Sequence, residues 1–163
     1  MKQKYVIFTQ FSIHGVQKIK NELDKNQALK KIAWRAFKIY LVGLFLWIFP
    51  SFDLDNIRWT GVLQRISFVF LFCGIIYLFI NKKYFMYISF ITLIAYWFVM
   101  IYIPVPGIGL PDLSVPELNL AHYIDNNYLP GVMWQGTWDP EGILTTIPSI
   151  ITGVFGLIAG SIL

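Results

Sequence analysis

The sequence is poor in the side chains that cross-link small domains or hold metal ions. Its 163 residues include one cysteine and two histidines. A single cysteine cannot form a disulfide within the chain, and Cys73 lies in an apolar run, where a thiol usually behaves as a small hydrophobic group. No spacing typical of zinc ligands is present, so the sequence predicts no metal site.

Charge is also scarce. Only 13% of the residues are charged, whereas 56% are hydrophobic and the mean hydropathy is +0.60; soluble domains carry about 25% charged residues. A chain this short keeps much of its surface exposed, so these apolar residues cannot all lie in a core. The composition therefore predicts a membrane protein. The sequence also has no phosphate-binding loop, no serine-nucleophile elbow and no basic stripe that would indicate a nucleic-acid partner.

Long apolar runs are what the sequence does have. A membrane-spanning helix needs about 20 mostly apolar residues. Four stretches meet this requirement, namely 32–49, 62–80, 84–103 and 143–163. None of them alternates with the period of two that a membrane β-barrel needs. The prediction is an all-α, polytopic transmembrane helical bundle with about four spans, made of a basic segment at 1–31 and a membrane domain at 32–163.

The distribution of basic residues predicts an orientation. Most lysines and arginines precede or enter the first predicted span, and Lys82 and Lys83 lie between the second and third. The segment 104–142 contains neither residue type but holds five acidic ones: Asp112, Glu117, Asp125, Asp139 and Glu141. By the positive-inside rule, the N-terminus is cytoplasmic, and the loops 50–61 and 104–142 face outward. The basic segment is expected to touch anionic lipid in the bilayer.

Two arginines lie at the predicted outer end of the second span. If that helix begins near Arg58, then Arg58, Gly61 and Arg65 share one face, with Gln64 beside them. Two guanidinium groups separated by a glycine suit an anionic ligand. The alternative is that Arg65 pairs with an acidic loop residue and only holds the bundle together. Considered without Arg65, Arg58 is predicted to be a charged residue at the rim of the membrane.

The long outer loop contains two local helix signals. Asn119 is a good cap for a short helix, and the nearby His122 is interpreted as a surface residue rather than an acid–base group. Asp139 is predicted to cap the last span, with Pro140 in its first helical position and Glu141 complementing its positive end. Both carboxylates also remain candidates for a polar site at the membrane surface.

The last span carries polar and small residues. Thr145, Thr146 and Ser149 extend a polar track into the bilayer, and Pro148 is expected to kink the helix. A small-residue face at 156–160 suits packing against a neighbouring helix, which leaves a homo-oligomer open.

Several motifs occur in a characteristic order. They are IRWTGVLQRI at 57–66, VPGIG at 105–109, ELNLA and YID between 117 and 125, and WDPEGIL followed by TIP between 138 and 148. From about residue 41 to residue 163, the sequence resembles the family of membrane acyltransferases related to heparan-alpha-glucosaminide N-acetyltransferase.

This resemblance implies acetyl transfer from cytosolic acetyl-CoA to the amino group of a sugar across the membrane. Under it, Arg58, Gln64 and Arg65 are predicted to bind the coenzyme, and Asn119, Asp139 and Glu141 to bind the amino-sugar substrate. The family's catalytic histidine precedes the matched region. Neither His14 nor His122 replaces it, so no catalytic residue is assigned.

The resemblance also predicts how much of an enzyme the chain represents. Family members have more spans than this chain supplies, so the chain is interpreted as a fragment that is inactive alone. The predicted location is a bacterial inner membrane. Bacterial relatives are also described as transporters linked to N-acetylglucosamine. A sugar-related transporter and a non-catalytic membrane scaffold therefore remain alternatives.

Overall fold

The structure is a computed structural model that describes residues 25–162. The residues form five α-helices: α1 Lys25–Ile48, α2 Val62–Phe79, α3 Phe85–Tyr102, α4 Leu120–Tyr128 and α5 Ile143–Ile162. Short 3-10 turns lie at Lys82–Tyr84 and Pro116–Leu118, and no β-strand occurs in residues 25–162. The all-α prediction is confirmed. Most of the predicted N-terminal segment, 1–31, lies outside the described residues.

Three helices are long and apolar enough to cross a membrane: Val62–Phe79, Lys82–Tyr102 and Ile143–Ser161. They nearly coincide with the last three predicted spans, and they indicate an integral membrane protein. Helix α1 contains the remaining predicted span, but between residues 25 and 38 it carries five basic side chains: Lys25, Lys30, Lys31, Arg35 and Lys38. The total of about four spans and the side of the N-terminus therefore stay predictions.

Helix α5 packs against both α2 and α3, and α1 packs against α2. Glycines allow the close approach, because a Cβ at Gly74 would lie 2.7 Å from Cγ2 of Ile32, and one at Gly153 would lie 2.5 Å from Sγ of Cys73. Small residues at such crossings are typical of membrane helices. Large apolar side chains on α1 and α3 point away from these contacts and are exposed, as lipid-facing side chains would be.

The loops at one end of the bundle are joined to each other. The amide of Val132 donates to the carbonyl of Ile57 over 3.1 Å, beside an isolated bridge between Arg58 and Gly131. Gly131 has a φ of 80°, and a Cβ there would overlap the Ile57 carbonyl. Glycine is therefore required where the loop after α4 meets the loop before α2.

A proline–glycine turn follows the end of α3. The amide of Val105 donates to the Gly109 carbonyl over 2.7 Å, and Gly107 and Gly109 have φ values of 82° and 102°. Helix α5 continues through Pro148, which lies inside it.

Candidate functional site

Arg58 forms the centre of a buried polar cluster. Its Nε and Nη2 donate to the two carboxylate oxygens of Asp139 over 2.7 and 2.6 Å, and Nη2 also donates to Oε2 of Glu141 over 2.6 Å. The rings of Trp47 and Trp134 lie 5.7 and 5.1 Å from its guanidinium carbon. Thr60 donates its hydroxyl to Asp139 over 2.7 Å. The arginine is thus fixed by charge-assisted bonds and by two aromatic faces.

The cluster is strongly ionised despite its burial. Burial alone would raise the pKa of Asp139, but hydrogen bonds from Arg58 and Thr60 outweigh it and hold that pKa well below its ordinary value. The hydrogen bond to Asp139 in turn raises the pKa of Arg58 above its ordinary value. Two carboxylates facing one guanidinium leave the cluster with a net negative charge.

Two predictions about Arg58 are wrong. Helix α2 begins at Val62, so Arg58 precedes the helix and shares no helical face with Gly61 and Arg65. Arg58 is also no rim charge, because only 7% of the residue is exposed. Its partners lie 81 and 83 residues further along the chain, and their charges offset the cost of burying the guanidinium.

Arg65 lies in the first turn of α2 and contacts the segment that leads into α5. Its Nη2 donates to the carbonyl of Pro140 and, over 2.6 Å, to the hydroxyl of Thr145. Its Nε is buried and has no hydrogen-bond partner in residues 25–162. The predicted pairing of Arg65 with an acidic loop residue is not found there, since both of its partners are neutral.

Asp125 performs the role that the sequence assigned to Asp139. Its carboxylate accepts from the amide of Ile143, the first residue of α5, over 2.9 Å. Asp139 instead accepts from the amide of Glu141 over 2.9 Å, in a turn that precedes the helix. The predicted N-cap is therefore wrong, because the helix begins later and Arg58 engages Asp139. Burial is the main reason why the pKa of Asp125 is raised, and backbone amides offset it in part.

The predicted cap at Asn119 is present. Its side chain accepts from the amide of His122 over 2.9 Å at the start of α4. The prediction that His122 is a surface residue is wrong, because both ring nitrogens are buried and lack partners in the described part of the chain.

A cavity of about 590 Å³ lies between α1, α2 and α5. Its polar end is bordered by Gln64, Arg65 and Glu141. Gln64 is only 4% exposed, and its carboxamide forms no hydrogen bond with any described residue. The opposite part of the wall is apolar and includes Tyr40, Phe68, Phe72, Ile147 and Ile150. Three of the six predicted site residues thus meet at one cavity.

The other three predicted residues do not border this cavity. Arg58 and Asp139 lie behind Glu141, and Arg58 borders a smaller cavity of about 210 Å³ on the other side of Gln64. Asn119 is engaged at the start of α4. The aromatic part of the wall was not predicted, although the sequence carries a signal for it: residues 64, 68 and 72 recur at a spacing of four and therefore share a helix face. No group of three potential metal ligands is present in residues 25–162.

Comparison with known proteins gives a distant similarity. The chain is 27% identical over 189 aligned positions to the heparan-alpha-glucosaminide N-acetyltransferase of Mus musculus, covering 86% of this chain and 29% of that protein. It is also 27% identical to the Homo sapiens protein of the same name, and that alignment covers 86% of this chain and 28% of the human protein. The chain matches no protein-family model. It spans less than a third of these curated relatives, so it is a membrane protein similar, over most of its own length, to one part of an N-acetyltransferase.

Proposed function

We propose that this chain belongs to a membrane acyltransferase that moves an acetyl group from acetyl-CoA to the amino group of an amino sugar. The observation that carries the proposal is the similarity to two N-acetyltransferases over 86% of the chain. Membrane-spanning helices and a cavity that ends in buried polar groups support it.

Glu141 is the residue best placed to bind the amine. It borders the cavity, its side chain is 17% exposed, and only its Oε2 is bonded to Arg58. The other carboxylate oxygen is available to a cationic amine of the acceptor. Asp139 has no exposed side-chain surface and fixes Arg58, so its proposed role is to position Glu141. The proposed role of Asn119 is to hold the start of α4.

The three residues predicted to bind the coenzyme do not fit it as a group. Coenzyme A carries several phosphate charges, whereas the two carboxylates of Asp139 and Glu141 already compensate Arg58. Only Arg65 brings a guanidinium without a carboxylate partner to the cavity. The proposal therefore retains acetyl-CoA as the acetyl donor of the whole protein and assigns it no ligand on Arg58.

The test is an acetyl-transfer assay on the whole protein in membranes. Acetyl-CoA labelled in its acetyl group and glucosamine should give labelled N-acetyl product. Glu141→Gln should raise the KM for the amine about tenfold, as expected for the loss of one charge-assisted hydrogen bond. Glu117→Gln, in the same loop but outside the cavity, should leave the KM unchanged.

The same preparation distinguishes the alternatives. Uptake of labelled sugar without acetylation would favour a transporter, and neither activity would favour a scaffold. That the 163-residue chain alone is inactive stays a prediction, and turnover by that chain would contradict it.

A further inference from the structure

Two polar residues lie at the polar end of the large cavity. Nε of Arg65 is buried and has no hydrogen-bond partner in residues 25–162. Gln64 is 4% exposed as a residue and borders the same space. Buried donors are nearly always paired, so the unpaired Nε beside a second buried polar side chain indicates a group with acceptor atoms at this end of the cavity.

The guanidinium of Arg65 is the group at this end that favours an anion, although the carboxylates of Asp139 and Glu141 exceed the charge of Arg58 by one. Arg65 bonds only to the Pro140 carbonyl and the Thr145 hydroxyl, so no carboxylate of the described chain offsets its charge. The nearby Glu141 bonds to Arg58 through Oε2 only. A guanidinium and a carboxamide together match the several acceptor oxygens of one phosphate group. One such guanidinium is too few for a ligand with several phosphates.

The remainder of the cavity is apolar. Phe68 and Phe72 line it from α2, and Ile147 and Ile150 line it from α5. At 1.5 Å per residue, the stretch from Gln64 to Phe72 extends about 12 Å along the helix axis. Both helices are membrane-spanning candidates, so this wall lies at the depth of lipid chains. A ligand with a phosphate at one end and hydrocarbon at the other matches both parts.

We propose that this cavity binds a membrane amphiphile with a single phosphate. Its phosphate oxygens accept from Arg65 and Gln64, and its hydrocarbon chain lies along Phe68, Phe72 and Ile147. Basic pockets between membrane helices are known to bind lipid head groups. The site does not depend on acetyl transfer. A bilayer phospholipid and a lipid-linked sugar share this chemistry.

Photo-crosslinking of the purified whole protein tests the site. The probe is an alkyl phosphate with a diazirine in its chain. Adducts should concentrate at residues 68–72 and 147–150. Arg65→Gln should lower labelling about tenfold, because a charge-assisted bond is lost, and Ile147→Trp should lower it by filling the cavity.

Two control variants match these changes outside the cavity. Arg35→Gln and Ile94→Trp, on α1 and α3, should label like the unmodified protein. Equal labelling of all four variants, or adducts spread over the exposed face of α3, would overturn the proposal. If Arg65→Gln does not fold, the labelling of Ile147→Trp and the competition experiments on the unmodified protein still test whether the cavity binds the amphiphile.

Competition identifies the source of the ligand. Stronger competition by phosphatidic acid assigns the site to bilayer lipid, whereas stronger competition by an alkyl-phosphate-linked glucosamine assigns it to a lipid-linked acceptor. Competition by coenzyme A or inorganic phosphate, with none by either amphiphile, would overturn the proposal. Retained labelling in a protein without acetyl transfer would contradict the proposed function alone.

Discussion

At Arg58, a guanidinium meets a fully buried carboxylate and a partly buried one. Such a group is stable only while every buried charge keeps its partner. Arg58→Met should therefore lower the free energy of unfolding by about 3–5 kcal/mol, because Asp139 would stay buried without a cation. Reversible unfolding in mixed micelles measures the change.

An exposed lysine provides the control for this prediction. Lys38 is exposed on α1, and its Nζ lies 5.3 Å from the centre of the Trp34 ring. Lys38→Met should cost less than about 1 kcal/mol, as expected for an exposed cation–π contact. A loss at Arg58 no larger than that at Lys38 would contradict the buried cluster.

The prediction for Asp125 is different, because folding raises the pKa of this carboxyl rather than lowering it. A carboxylate whose pKa is raised by folding stabilises the protein most below its ordinary pKa of 3.8, and that contribution falls as the pH rises towards the folded value. Asp125→Leu removes the acceptor for the Ile143 amide and should cost about 1–3 kcal/mol at neutral pH.

Asp125→Asn is the matched comparison. It keeps one carbonyl oxygen as an acceptor, so it should cost less free energy of unfolding than Asp125→Leu. Because it carries no charge, its free energy of unfolding should not show the decrease between pH 3.8 and neutrality that ionisation of Asp125 causes. Unfolding free energies measured across that range test both points. Equal losses for Asn and Leu would show that the acceptor at residue 125 is not what holds the start of α5.

At the scale of elements, the junction of α4 and α5 depends on one glycine. A Cβ at Gly142 would overlap the carboxylate of Asp125, which has no exposed space into which it could move. Gly142→Ala should therefore destabilise the protein by about 1–3 kcal/mol, the usual cost of overpacking. Gly156→Ala meets nothing within 4 Å in the described chain and should be neutral or stabilising by up to about 1 kcal/mol. The same unfolding measurement compares them, and equal effects would contradict this junction.

The membrane helices could be predicted from the sequence, and most of the site could not. Apolar runs are local, so the bounds of α2, α3 and α5 follow closely from composition. The cap at Asn119 is equally local, since its partner is three residues away. The partner of Arg58 is 81 residues away and that of Asp125 is 18 residues away. No periodicity connects such residues, so the list of polar candidates did not reveal which of them pair.

At the scale of the whole molecule, the orientation in the membrane stays a prediction from charge. Residue Asn127 is exposed at the end of α4, in the segment without lysine or arginine, and Asn26 lies in the basic first turn of α1. If the N-terminus is cytoplasmic, an impermeant thiol reagent added outside should modify Asn127→Cys but not Asn26→Cys. The native Cys73 is buried and provides a low background. The reverse labelling pattern would contradict the predicted orientation.

The joined loops also bear on how the molecule could be assembled. Helix α5 is held to α2 by side-chain packing, by the Arg58 cluster and by the bonds of Arg65, and none of these contacts involves the backbone between residues 106 and 115. We therefore expect two separately translated pieces, divided within that stretch, to associate in the same bilayer, because one piece carries Arg58 and the other carries Asp139 and Glu141.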